Sequence, residues 1–225
     1  MKPPSPFLGL LQRRQCLVPT LRGWLLMLVA AAVLMTVAVR NAQSFLAVTD
    51  PVAGEVLVIE GWTSDYAYKQ VIAEFGRHHY RKLYVTGGPV ELGASLSEYK
   101  TFAELGEATL IRMGLNKEAV QAVPSSPVRR DRTYASALAL KHWLAQHNAL
   151  PASLNLMSIG THSRRSRLLF EKAFGGGVRV GIIAIENADF DVNHWWRSSQ
   201  GVRVVIGEMI AYAYARLLFF PGQEP

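Results

Sequence analysis

The chain has 225 residues, half of them hydrophobic, which suits one globular domain plus an accessory segment. Its formal charge of +7 is uneven: five basic residues and no acid lie within the first 40 positions, leaving 19 Lys+Arg against 17 Asp+Glu from Asn41 onward. The folded part is therefore nearly neutral, which argues against a nucleic-acid-binding surface. The single cysteine, Cys16, excludes an internal disulfide, and the rest of the chain has no thiol chemistry.

Residues 1–22 form a basic tail carrying Lys2, Arg13, Arg14 and Arg22. It runs into WLLMLVAAAVLMTVAV (residues 24–39), uncharged until Arg40. A transmembrane anchor over residues 23–40 is expected, with flanking arginines reaching the headgroups. A cleaved signal peptide is the competing reading. The anchor is preferred because no small-x-small cleavage site precedes a sensible mature end. The positive-inside rule then places the tail in the cytoplasm and the domain outside it. Residues 41–54 read as a linker.

From residue 55 to about 220, strands and helices alternate. EVLVI (55–59) is a continuous apolar run of the kind buried in a parallel sheet. A helix from Ser64 follows, with Tyr68, Val71, Ile72 and Phe75 on one face. KLYVT (82–86) is a second strand, stopped by Gly87-Gly88-Pro89. A helix is expected over 97–113, opened by Ser97-Glu98. Residues 119–123 form a third, weaker strand, and Thr133 is expected to cap a helix to Gln146. LNLMSI (154–159) is a fourth strand, followed by a helix that Gly175 ends. VRVGIIAI (178–185) is a fifth. The last helix, 201–219, is very apolar, but Arg203, Glu208 and Arg216 interrupt it, so a core helix is expected rather than a second span. Repeated β-α units predict a Rossmann-like α/β fold, with a parallel sheet covered by helices on both faces.

In such sheets ligands bind beyond the carboxyl ends of the strands. Those ends are polar throughout: Glu60, Trp62 and Asp65; Gly87, Gly88 and Glu98; Arg129 to Thr133; Thr161 to Arg167; and Glu186 to Asp191. Six arginines lie in two of these loops. Cations at a helix start oppose its dipole by about 0.3–1 kcal/mol each, and a bound anion would reverse that. The expected anion site comprises Gly87, Gly88, Arg132, Thr133, Thr161, Arg164 and Arg167, with Trp62, Asp65, Glu98, Asp131 and Glu208 nearby. The bland alternative is a structural ion-pair network. His162 and Glu60 are the acid–base candidates. Glu208, inside an apolar helix, needs a partner, which one of the loop arginines could supply. No histidine or carboxylate spacing suggests a metal, neither a P-loop nor G-x-G-x-x-G occurs, and Ser163 lacks a nucleophile-elbow context. No cofactor is expected.

The order of a membrane segment, Thr86-Gly87-Gly88, Ser97-Glu98, Arg132-Thr133, Thr161-His162, Arg167 and Glu208 resembles the SanA/ElyC/YdcF family of bacterial envelope proteins. The match covers residues 55–218. The resemblance implies a Rossmann-like domain anchored in the inner membrane and linked to peptidoglycan or polysaccharide-precursor metabolism. One branch of that family has been associated with S-adenosylmethionine. The expectation is thus a periplasmic domain that binds or processes a phosphorylated envelope intermediate, such as a lipid-linked sugar. The alternatives are a non-enzymatic partner of envelope-synthesis proteins and a nucleotide or S-adenosylmethionine binder.

Overall fold

The computed structural model describes residues 19–91 and 95–222; most of the basic tail lies outside them. Two units are distinguished, one ending at Val39 and one beginning at Arg40. In the first, helix α1 (Leu21–Leu46) begins. Among the described residues α1 alone is long and apolar enough to cross a membrane, with a mean hydropathy of 2.0 and no burial over its most apolar window.

In the second unit five strands form one parallel sheet in the order β3-β2-β1-β4-β5: β1 (Val56–Glu60), β2 (Lys82–Gly87), β3 (Val120–Pro124), β4 (Ser153–Ile159) and β5 (Arg179–Ile185). Helices α2 (Asp65–Arg77) and α3 (Phe102–Arg112) cover one face, and α4 (Arg132–Gln146) and α5 (Ser163–Phe174) the other. Strand alternation divides the core. Val56 and Val58 of β1 pack with Leu140, Leu144 and Phe170, whereas Leu57 and Ile59 pack with Ala67, Val71 and Leu110. Each such side chain contributes about 1.5–3 kcal/mol by leaving water. Because both faces are covered, β1 is buried end to end and reads as an unbroken apolar run.

Four boundaries differ from the sequence expectation, each for a local reason. Helix α3 starts at Phe102, five residues later than Ser97. Thr101 and Glu104 form a reciprocal capping box, with Glu104 N donating to Thr101 Oγ1 (3.2 Å) and Thr101 N donating to Glu104 Oε2 (2.9 Å). The preceding excursion is closed by hydrogen bonds from Phe102 N to Gly88 O (2.8 Å) and Val90 N to Lys100 O (3.0 Å).

The segment 41–54 is not a free linker. It continues α1 to the fully buried Leu46, and Asp50 then pairs with Ile182 through bonds of 2.7 and 3.1 Å. The segment thereby occupies backbone groups on the open edge of β5.

Thr133 does not cap α4. Asp131 holds that position with a left-handed backbone (φ 56°), and Thr133 lies inside the first turn.

Finally, α6 (Ser199–Leu217) is not a core helix. Only Gly201, Val205 and Ala215 are buried, while Val202, Ile206, Met209, Ile210, Tyr214 and Leu217 are exposed. The sequence His194-Trp195-Trp196, by contrast, packs inward through Trp195.

Candidate functional site

Strand order reverses between β1 and β4, and crevices in open α/β sheets form beyond that point. A cavity of about 880 Å³ lies there. Its charged wall comprises Glu60, Glu91, Arg129, Asp131, Arg132, His162 and Arg165, and its apolar wall includes Trp62, Phe102, Val128, Leu169 and Tyr214.

Two glycines let the sheet end close against α3. A Cβ on Gly61 would lie 2.2 Å from Phe102 O, and one on Gly87 would lie 2.8 Å from Phe102 Cβ. Any side chain at Gly61 would push the first turn of α3 away from the cavity.

Glu60, the last residue of β1, is 1% exposed yet charged. Oε1 accepts from Thr133 Oγ1 at 3.1 Å, and Oε2 accepts from Ser158 Oγ and Ser166 Oγ, each at 3.0 Å. Nε2 of His162 stands 3.7 Å from Oε2, an ion-pair separation rather than a hydrogen bond. Burial pushes the carboxyl up, but the His162 cation and the hydroxyl donors outweigh it and hold the group at about 2.

The other ring nitrogen of His162, Nδ1, lies 2.9 Å from Glu208 Oε1. Arg165 donates to both oxygens of the same carboxylate, from Nε at 2.8 Å and from a terminal nitrogen at 3.0 Å. Burial disfavours the His162 charge, but the Glu60 carboxylate and the Glu208 hydrogen bond prevail, raising its pKa to about 9. Glu208 is pushed up by burial and pulled further down by His162 and Arg165, to about 2. In the imidazolium form both His162 nitrogens are donors facing carboxylates. The 2.8 Å approach of Arg165 to Nδ1 is then a contact between two cations held together by Glu208. Two acids and two bases thus form a neutral, largely buried quartet.

Several sequence-predicted residues meet here: Glu60, Trp62, Gly87, Gly88, Asp131, Arg132, Thr133 and His162 line the cavity, and Glu208 anchors its floor. The Trp62 ring packs edge-on to His162 with centroids 5.0 Å apart. Arg132 reaches Glu91 at 2.7 Å, an exposed pair of little energetic weight. The expected roles of Arg164 and Arg167 require correction. Arg164 lies over the Phe45 ring, 4.1 Å from its centroid, and donates to Phe45 O. Arg167 is held by Asp50 (2.7 Å) and Glu171 (2.9 Å). Neither lines the cavity, nor do the buried Thr161 or the exposed Asp65 and Glu98.

The expected acid–base role of His162 also meets an obstacle. With Nε2 facing Glu60 and Nδ1 facing Glu208, neither ring nitrogen is turned to the cavity for a substrate. Glu60, held at about 2 and saturated with donors, is a poor base. Among the described residues no group of histidines, cysteines and carboxylates could hold a metal ion.

The sequence marks Arg165 as one of the loop arginines without singling it out for the site, and Ser158 and Ser166 are not among the expected site residues. Helical spacing carries a signal for two of them: positions 162, 165, 166 and 169 share one face of α5, while 164 and 167 lie on another. Comparison with known proteins adds no relative: no protein-family model matches the chain, and no curated protein or solved structure shows significant similarity.

Proposed function

We propose that this chain is a membrane-anchored binding domain for an amphiphilic anion, of the class of a phosphorylated, lipid-linked envelope intermediate. One observation carries the reading: a single cavity joins a guanidinium-bearing wall to an apolar one. Arg129 on that wall has no carboxylate partner among the described residues, unlike Arg165 and Arg132. A phosphate would take two guanidinium forks from Arg129 and Arg132, while Phe102, Val128 and Tyr214 accept an apolar tail. The quartet of Glu60, His162, Arg165 and Glu208 serves as a rigid polar floor, and the activity proposed is binding. The resemblance to the SanA/ElyC/YdcF family supports an envelope setting, and the basic tail supports an extracytoplasmic domain.

The test is calorimetric titration of the detergent-solubilised full chain with farnesyl phosphate, farnesol and inorganic phosphate. Farnesyl phosphate is expected to bind more tightly than either part, and Arg129→Ala with Arg132→Ala to weaken it about tenfold or more. Absence of binding, or equal binding by the double variant, overturns the proposal. The exposed Trp62 ring on the cavity favours a second reading, an adenine-bearing ligand such as a nucleotide or S-adenosylmethionine. Binding of such a ligand that is lost in Trp62→Ala would replace the first reading.

A further inference from the structure

Helix α6 carries an apolar face that none of the described residues covers. At 100° per residue, Met209, Val202, Ala213, Ile206, Leu217 and Ile210 occupy one arc of about 100°. All six are exposed, Ile210 at 67% and Leu217 at 66%. Arg216 and Arg203 bound the arc on either side, and the exposed Leu218 and Phe220 extend it past the helix end. An apolar stripe edged by arginines suits a bilayer surface, where the stripe enters the acyl boundary and the guanidinium groups meet lipid phosphates.

Chain connectivity places this face near a bilayer. Arg40 is the first charge after the apolar run of α1, and Phe45 follows five residues later. Those five residues span about 8 Å as a helix and at most about 17 Å extended. Phe45 packs edge-on against Tyr212 of α6, with centroids 5.7 Å apart, and is pinned by Arg164. Tyr212 is thus tethered within roughly the thickness of the headgroup layer from the point where the chain leaves the hydrocarbon. Exposed apolar area at that distance is within reach of the acyl boundary.

We infer that the Met209–Ile210–Leu217 face of α6 docks on the surface of the bilayer that α1 spans. The docked helix lies in the headgroup–acyl boundary and fixes the orientation of the domain on the membrane. Ala211, Tyr214 and Ala215, on the other side of the same helix, line the cavity, so docking holds the cavity about one helix diameter from the lipid surface. That consequence bears on the ligand reading above, but the docking does not depend on it.

The experiment uses the full chain with Cys16→Ser, reconstituted in nanodiscs of phosphatidylethanolamine and phosphatidylglycerol. Single cysteines at Ile210, at Leu217 and, as a control, at the exposed Lys117 carry an environment-sensitive fluorophore. Lipids bearing a spin label near the headgroup are expected to quench positions 210 and 217 at least about twofold more than 117. Equal quenching at all three sites overturns the inference. So does cross-linking of two chains through position 210 without lipid quenching, which would make the face a contact between copies. Melting midpoints of the labelled chains, compared with the parent, verify that the fold is kept, and farnesyl phosphate titration separately reports the cavity.

Discussion

Glu208 Oε1 stands 2.9 Å from Nδ1 of His162, so α6 is tied to the start of α5 by a carboxylate–imidazolium bond beneath the cavity. The same carboxylate holds Arg165. Removing it leaves two cations facing each other in a site where His162 and Arg165 are 13% and 19% exposed. Glu208→Ala is therefore expected to destabilise the domain by about 3 kcal/mol, the cost of an uncompensated buried charge. Glu208→Leu combined with Arg165→Leu, which leaves the Glu60–His162 pair, is expected to cost less than the sum of the single changes. Urea denaturation of the four proteins measures this coupling.

The pKa values set a pH window. His162 is raised from 6.5 to about 9, so its contribution to stability is complete below pH 6.5 and lost as pH rises through 9. Glu60 and Glu208 are lowered from 4.5 to about 2, so theirs is complete above pH 4.5 and lost as pH falls through 2. Stability supplied by the quartet is expected to be flat between pH 4.5 and 6.5 and to decline on both sides. The urea midpoint followed against pH tests the sign: the difference between the parent and His162→Gln should shrink from pH 6.5 to 9.

The alternation of apolar runs with helical spacing was enough to place all five strands and the helices between them. Continuous runs such as EVLVI mark strands buried on both faces, and that signal survives without any partner in view. Ser97-Glu98 imitates a helix opening, whereas the true start of α3 is written in Thr101-x-x-Glu104. The charged strand ends indicated a site, and Glu208 was expected to need a basic partner. Which arginine supplies it depends on the rotation of α5 about its axis. Arg164 and Arg165 are neighbours in sequence, yet one covers Phe45 and the other reaches Glu208. That difference is tertiary, set by Leu169 and Phe170 burying one side of α5.

Glycine substitutions separate close approach from flexibility. At Gly61 a Cβ would meet the Phe102 carbonyl at 2.2 Å, and backbone cannot yield as a side-chain tip can. Gly61→Ala is expected to cost about 1–3 kcal/mol or more by forcing α3 outward. At Gly207, inside α6, nothing lies within 4 Å of the added carbon. Gly207→Ala is expected to stabilise by about 0.5–1 kcal/mol through helix propensity. Thermal melting of the two variants should move in opposite directions.

Arg164 and Arg167 provide a test of the corrected site. Arg164 covers Phe45, and Arg167 joins α5 to Asp50, the residue whose backbone pairs with β5. Both act on the strap formed by residues 45–50, away from the cavity lining. Arg164→Ala with Arg167→Ala is therefore expected to leave farnesyl phosphate affinity within about twofold of the parent, because neither guanidinium meets the ligand. Arg129→Ala with Arg132→Ala is expected to weaken it about tenfold or more while leaving the strap intact. Hydrogen exchange distinguishes the pairs independently of any ligand. The amides of Asp50 and Ile182, hydrogen-bonded to each other's carbonyls at 2.7 and 3.1 Å, should exchange faster in the first double variant and unchanged in the second. Loss of binding on removing Arg164 and Arg167, with those amides still protected, would return the anion site to the start of α5.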